Sequence, residues 1–181
     1  MKPKPINKEV VWDKSQLILS KTDLKGNINF VNQIFLDVAG YTEQEVITKS
    51  HNIIRHPDMP KIIFKLLWER LKEGRNFHAA IKNMTKSGEY YWVVTDFDMI
   101  KNAKGEIIGY MGRRRAIDID IVTKQIEPLY RKLLDLEKKA GVDASKKYLI
   151  RFLDDKKCTY VEYIKNIVNI PDFYGGIFRD L

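Results

Sequence analysis

A single cysteine, Cys158, stands in the 181 residues, so an internal disulfide is excluded and the chain fits a reducing compartment. No apolar run approaches the roughly 20 residues needed to cross a bilayer. Met1-Lys2-Pro3-Lys4-Pro5 leads into no signal-peptide core, so the expected location is cytoplasmic, with no membrane span in the chain. A glycine-rich dinucleotide fingerprint is missing, as is any placeable Ser/His/Asp or Cys/His set; the expectation is therefore that the chain is not an enzyme. Only three histidines occur, with no His-x-x-x-His stripe to hold a metal. The formal charge of +8 is not gathered in one tract, because the 32 basic residues are interspersed with 24 acids. No zinc-finger or aromatic RNA-binding motif accompanies it, so nucleic acid is not the expected partner; an anionic membrane surface or an acidic protein explains the charge as well.

What the chain has is an ordinary globular composition, 44% hydrophobic and 31% charged, and one unusual stretch, His51-Asn52-Ile53-Ile54-Arg55-His56-Pro57-Asp58-Met59-Pro60. Each proline fixes its own φ and turns the residue before it away from the helical region, which holds the polar side chains on a stiff, bent connector. Three uses are open to it. The histidines can simply satisfy a loop; His51, His56 and Asp58 can offer metal ligands; or Arg55, with its planar donor fork, can receive a phosphate or carboxylate beside the imidazoles. The residues that follow read as an amphipathic helix, with Ile63, Phe64, Leu67, Trp68 and Leu71 at helical spacing and Pro60 at its first turn.

In chain order, residues 1–16 read as a flexible arm that Trp12 can pin to the body. Two short strands around Lys25-Gly26-Asn27 follow, then short helical pieces split at Gly40-Tyr41, the connector and its helix, and three runs of strand character ending near Ile117. Successive hairpins imply a five-stranded antiparallel sheet in an α+β domain over 17–118, with the helical insert across one face and a pocket between the two. Arg113-Arg114-Arg115 falls inside the last strand, where alternate side chains face opposite ways. From Asp118 the pattern is helical, through Ile119, Val122, Ile126, Leu129, Leu133 and Leu136 to a stop at Gly141, with Pro128 as an interruption. Two further helices and an aromatic tail, Phe173-Tyr174-Gly175-Gly176-Ile177-Phe178, complete a helical extension over 119–181.

Thr22-Asp23-Leu24, Ala39-Gly40-Tyr41-Thr42, the connector through Lys61, Lys82-Asn83, Tyr91-Trp92-Val93, Gly109-Tyr110-Met111 and Ile126-Glu127-Pro128-Leu129-Tyr130 together resemble the PAS sensor domain of the aerotaxis, or energy-taxis, receptors, from about Ser20 to Leu129. That resemblance implies a PAS fold holding FAD, whose redox state is signalled. It carries cofactor binding to Arg55, His56 and Asp58, and then to Asn32, Trp68 and Asn83. It further implies a separate membrane-bound chemoreceptor lacking its own PAS domain as partner, which would keep the protein near the inner membrane face; a homodimer is also compatible. Phe77-His78 departs from the pattern, where a tryptophan is expected, and leaves haem on a histidine, or a cofactor-free interaction module, as the alternative. Light-sensing relatives use a cysteine beside the flavin; Cys158 lies far outside the expected pocket, so light-driven chemistry is not expected.

Overall fold

The computed structural model describes residues 3–169, and the aromatic tail 173–178 lies outside the described residues. The first hairpin joins β1 (Ile18–Thr22) and β2 (Ile28–Val31). Its turn is shaped by Asp23, whose carboxylate accepts the N–H groups of Lys25 and Asn27 at 2.8 Å, while Gly26 takes the left-handed φ of 81° that the turn requires. Helix α1 (Gln33–Ala39) is capped by Asn32, and α2 (Glu43–Val46) by Thr42, whose N–H donates to Glu45 at 2.9 Å. A 3₁₀ turn, His51–Ile54, opens the connector, and α3 (Lys61–Lys72) follows it. Three long strands come next, β3 (Phe77–Met84), β4 (Tyr90–Lys101) and β5 (Ile107–Ala116).

The strands form one antiparallel sheet in the order β2-β1-β5-β4-β3. The last strand thus sits at the centre, paired to β1 on one side and β4 on the other. The hairpins β3–β4 and β4–β5 are local, whereas the β1–β5 pairing closes the sheet around the helical insert. Phe35, Val38, Ile54, Ile62, Ile63, Leu67 and Leu71 from the insert bury against Tyr91 and Val93, forming the main core.

Asp118 caps the next helical turn, α4 (Ile119–Ile121), by accepting the N–H of Asp120 at 2.7 Å. A π-helical turn, Val122–Ile126, leads into α5 (Glu127–Ala140). Pro128 therefore falls in the first turn of α5, where its missing N–H is harmless, and the irregularity lies just before it instead of at the proline. Helices α6 (Val142–Asp155) and α7 (Tyr160–Val168) complete the described chain. Helices α5 and α7 cover the open side of the end strand β3: the Tyr130 hydroxyl donates to the carbonyl of Ala80 at 2.7 Å and meets the Tyr160 hydroxyl, and Tyr160 stacks on Phe77. An uncovered β3 would present unpaired backbone groups to any passing strand.

At the other end of the chain, the residues expected to form a flexible arm bond to the β3–β4 turn. Ile6 N–H donates to Gly88, Tyr90 N–H to Lys8 and Val10 N–H to Tyr90, each at 2.9 Å.

Candidate functional site

Between α3, the connector and the inner face of the sheet lies a cavity of ≈ 240 Å³. Helical spacing sends Phe64, Leu67, Trp68 and Leu71 into it from α3; strand alternation sends Ile81 and Asn83 from β3, and Tyr110, Gly112 and Arg114 from β5. His51, Asn52 and Arg55 line it from the connector. The walls are largely apolar, and Lys25, His51, Asn52, Arg55, Asn83 and Arg114 are set among them, a make-up suited to a small molecule with polar groups.

Trp68 packs edge-on against Tyr110, with ring centroids 5.4 Å apart, and its indole rests over Gly26, where an added Cβ would stand 3.3 Å from the ring. The turn glycine thus also makes room for the aromatic wall. Asn83 is 3% exposed, and no atom among the described residues stands in hydrogen-bonding geometry to its side-chain nitrogen; the hydroxyls of Tyr91, its cross-strand neighbour, and Thr95 on the same sheet face are likewise without a partner in that geometry. A buried donor left unmade costs about 1–3 kcal/mol, so Asn83 favours a ligand that accepts from it. Arg55 lies across the face of Phe64, 4.1 Å from the ring centroid, and donates to the carbonyl of Met59 at 3.1 Å. Its backbone bridges to Asn83, which ties the connector to β3.

The other expected site residues stand elsewhere. His56 is buried on the far side of the connector, edge-on to Tyr90, where its Nδ1 accepts the Asp58 N–H at 3.1 Å. Asp58 pairs with Lys82 at 3.0 Å, and its side chain is 60% exposed. Asn32 accepts from Leu19 and Phe35 and donates to Leu17, holding α1 to β1. None of the three lines the cavity. Phe77 and His78 also stand outside it: Phe77 packs under α7, and His78 faces Asp96 at 3.3 Å. Cys158 follows α6 and is remote from the site.

The sequence reading did not single out Arg114 as a site residue. It is 2% exposed; its guanidinium donates to Ser20 at 3.0 Å, to the carbonyl of Gly112 at 3.1 Å and to His51 Nε2 at 2.8 Å. Because arginine has no lone pair to offer, His51 Nε2 must be the acceptor, and the imidazole proton sits on Nδ1. The signal available in the sequence was the period of two from Tyr110 through Gly112 to Arg114, which puts all three on one face.

Desolvation, and then the neighbouring Arg114 cation, push the His51 pKa down from 6.5 to about 3. The folded protein therefore keeps His51 neutral while the unfolded chain takes up a proton below pH 6.5, so this contribution to stability is intact above that pH and is lost on acidification toward 3. The expected slope is about 0.7 kcal/mol per pH unit at pH 6.5 and approaches about 1.4 kcal/mol per pH unit near pH 5. His78, also held low chiefly by desolvation, acts in the same direction. Urea unfolding at pH 7.5, 6 and 5 checks it: the slope should be shallower in His51→Gln, and an equal slope in the two proteins would remove His51 as its source.

Comparison with known proteins places this geometry. Residues 28–114 match the PAS fold. Over 118 residues, 64% of this chain, the sequence is 42% identical to the aerotaxis receptor of Escherichia coli K12, and it spans 22% of that receptor's length. Among solved structures, the light state of the blue-light photoreceptor Aureochrome1 LOV superposes with a TM-score of 0.56 at 16% identity, covering 61% of this chain and 89% of the other. A light-oxygen-voltage domain studied with a flavin analogue superposes with the same score at 17% identity, covering 65% and 90%. No described helix is long and apolar enough to cross a membrane.

Proposed function

The chain carries a PAS domain, and from that premise we propose that it is a redox sensor of the energy-taxis type, which binds FAD and reports the cofactor's redox state to a separate membrane-bound chemoreceptor. The observation that carries this reading is the cavity, where Trp68 offers an aromatic wall and Asn83 an unpartnered amide donor. A flavin ring needs those features, because its edge bears carbonyl oxygens and ring nitrogens and its faces are apolar. The cavity falls just below the roughly 300–1,000 Å³ of sites for whole ligands, which suits burial of the ring with the ribityl and phosphate groups at the mouth. Arg55 is a half-buried cation of the lining, and a guanidinium is suited to pyrophosphate. When bound, the flavin supplies reversible electron transfer; the protein's part is to hold it, orient it and exclude water.

The haem alternative finds less support. Of the three histidines only His51 lines the cavity, and its Nε2 is engaged by Arg114. An absorption spectrum of the purified protein tests the proposal: flavin bands support it, while a Soret band or an empty visible spectrum would refute it.

The proposed roles on the connector differ in weight. Arg55→Ala should weaken FAD binding by roughly 10- to 100-fold, the worth of a charge-assisted contact. Asp58→Ala removes an ion pair with one exposed member, worth at most about 1 kcal/mol, and so should weaken it less than about fivefold. Flavin-to-protein ratios and dissociation constants of the two variants check this; a larger loss in Asp58→Ala would reverse the assignment.

Transmission is proposed to run through the segment from Asp118, because β5 lines the cavity through Arg114 and leads into α4 and α5 within a few residues. Basic residues would favour an anionic inner leaflet beside the receptor. We assign the chain no catalytic role, and a homodimer is compatible with this scheme.

A further inference from the structure

We infer that Arg114 is a specificity-determining residue of the cavity, recognising an electron-rich edge of the ligand that carries hydrogen-bond acceptors and no donor. The inference rests on the flavin reading above, and within it the edge is the one formed by N1 and the C2 carbonyl.

The argument begins with the buried charge. Arg114 lies within the sheet face, and among the described residues no carboxylate stands within ion-pair distance of it. Its neighbour Arg113, which points to the opposite face, pairs with both Asp96 and Asp98, so the strand supplies counter-charges where they are structural. Desolvation lowers the Arg114 pKa only to about 10, which leaves it a cation at neutral pH. An uncompensated buried cation is costly, and it persists where something else supplies the partner.

Donor counting gives the direction. A guanidinium carries five N–H groups, and three are used, by Ser20, Gly112 and His51, leaving two to donate. None of the three partners is charged: His51 is held neutral, and the others are a hydroxyl and a carbonyl. They fix the guanidinium plane without neutralising it. Gly112 completes the arrangement, since a Cβ there would stand 2.7 Å from Arg114 Nη2. The absence of a side chain at 112 is what lets the guanidinium lie flat across β5 beside the cavity. Asn83 is a further polar group of the lining, and as an amide it can both donate and accept. A ring edge of mixed donors and acceptors suits Asn83; an acceptor-only edge suits Arg114.

The test compares FAD with 1-deaza-FAD, in which the N1 acceptor is replaced by C–H, using the full chain freed of cofactor and reading dissociation constants by fluorescence. The wild-type protein should bind the analogue roughly 10- to 100-fold more weakly than FAD, the range for a hydrogen bond to a charged group. Arg114→Gln should weaken FAD binding by a similar factor and lose the discrimination. Gly112→Ala keeps the charge but displaces the guanidinium, so it should reduce discrimination too, with Arg114→Lys retaining part of it. Equal wild-type affinity for FAD and the analogue would overturn the inference without any variant, even if Arg114→Gln failed to fold. Full FAD affinity in folded Arg114→Gln would also overturn it, leaving Arg114 a structural group. Failure of the wild-type protein to bind FAD at all would instead refute the flavin reading, and this assignment with it.

Discussion

Phe77→Ala is expected to destabilise the protein by about 3–5 kcal/mol, the usual cost of emptying a buried aromatic site. Phe77 is 1% exposed at the start of β3 and stacks on Tyr160 with ring centroids 5.5 Å apart and planes inclined by 15°. The loss is therefore shared between the sheet and α7, and hydrogen exchange in 160–168 should rise more than exchange in α1. Flavin affinity in the folded fraction should stay close to wild type, because Phe77 does not line the cavity, whereas its cross-strand partner Phe97 does. Thermal unfolding and flavin titration of Phe77→Ala, with Phe77→Leu as the milder change, check both halves. A destabilisation below about 1 kcal/mol would mean that α7 contributes little to the fold.

Glu137→Ala is expected to cost about 2–3 kcal/mol, a large effect for a residue near the surface. Helix α3 begins after Pro60, which has no side-chain acceptor, so its first N–H groups lack a local cap. Glu137 on α5 supplies one from 75 residues away: its two carboxylate oxygens accept the N–H groups of Lys61 and Ile62, each at 2.9 Å. A carboxylate at a helix N-terminus gains both from charge-assisted hydrogen bonds and from the helix dipole. Since α3 carries Phe64, Leu67 and Trp68 into the cavity, the C-terminal extension braces the wall of the ligand site. Glu137→Gln keeps an acceptor and should lose about half as much. Urea midpoints together with hydrogen exchange across 61–64 provide the check, and an unchanged midpoint in Glu137→Ala would show that water caps α3 equally well.

Much of the architecture was readable in the residues. Turn chemistry at Asp23 to Asn27, the glycines between strands, and the change from period two to helical spacing are local, and local geometry follows from which backbone angles a residue tolerates and which face of an element is apolar. The elements therefore stand close to where the pattern put them, and the five-stranded antiparallel sheet with helices over one face and helices after it is the fold expected. Trp68 and Asn83 reach the cavity for the same reason: both lie on faces that periodicity alone defines.

Only the tertiary structure decided which polar residues face the cavity. His56 and Asp58 share the connector with Arg55, yet a 3₁₀ turn followed by Pro57 sends them away from it, to Tyr90 and Lys82. Periodicity carries no information on a bent connector, whose side-chain directions depend on what packs on either side. Arg114 shows the converse: alternation separates it from Arg113 and Arg115, but which face is inward depends on β5 pairing with β1, far away in sequence, where Arg114 itself stands opposite Ile18. The cap on α3 is equally non-local, since Lys61 gives no sign that Glu137 will reach it. The sequence by itself determined the elements and their apolar faces, because those depend on neighbours within a turn or a hairpin. The polar end of the site and the brace behind α3 were decided by long-range closure of the chain, which alone brings a buried charge and its partners together.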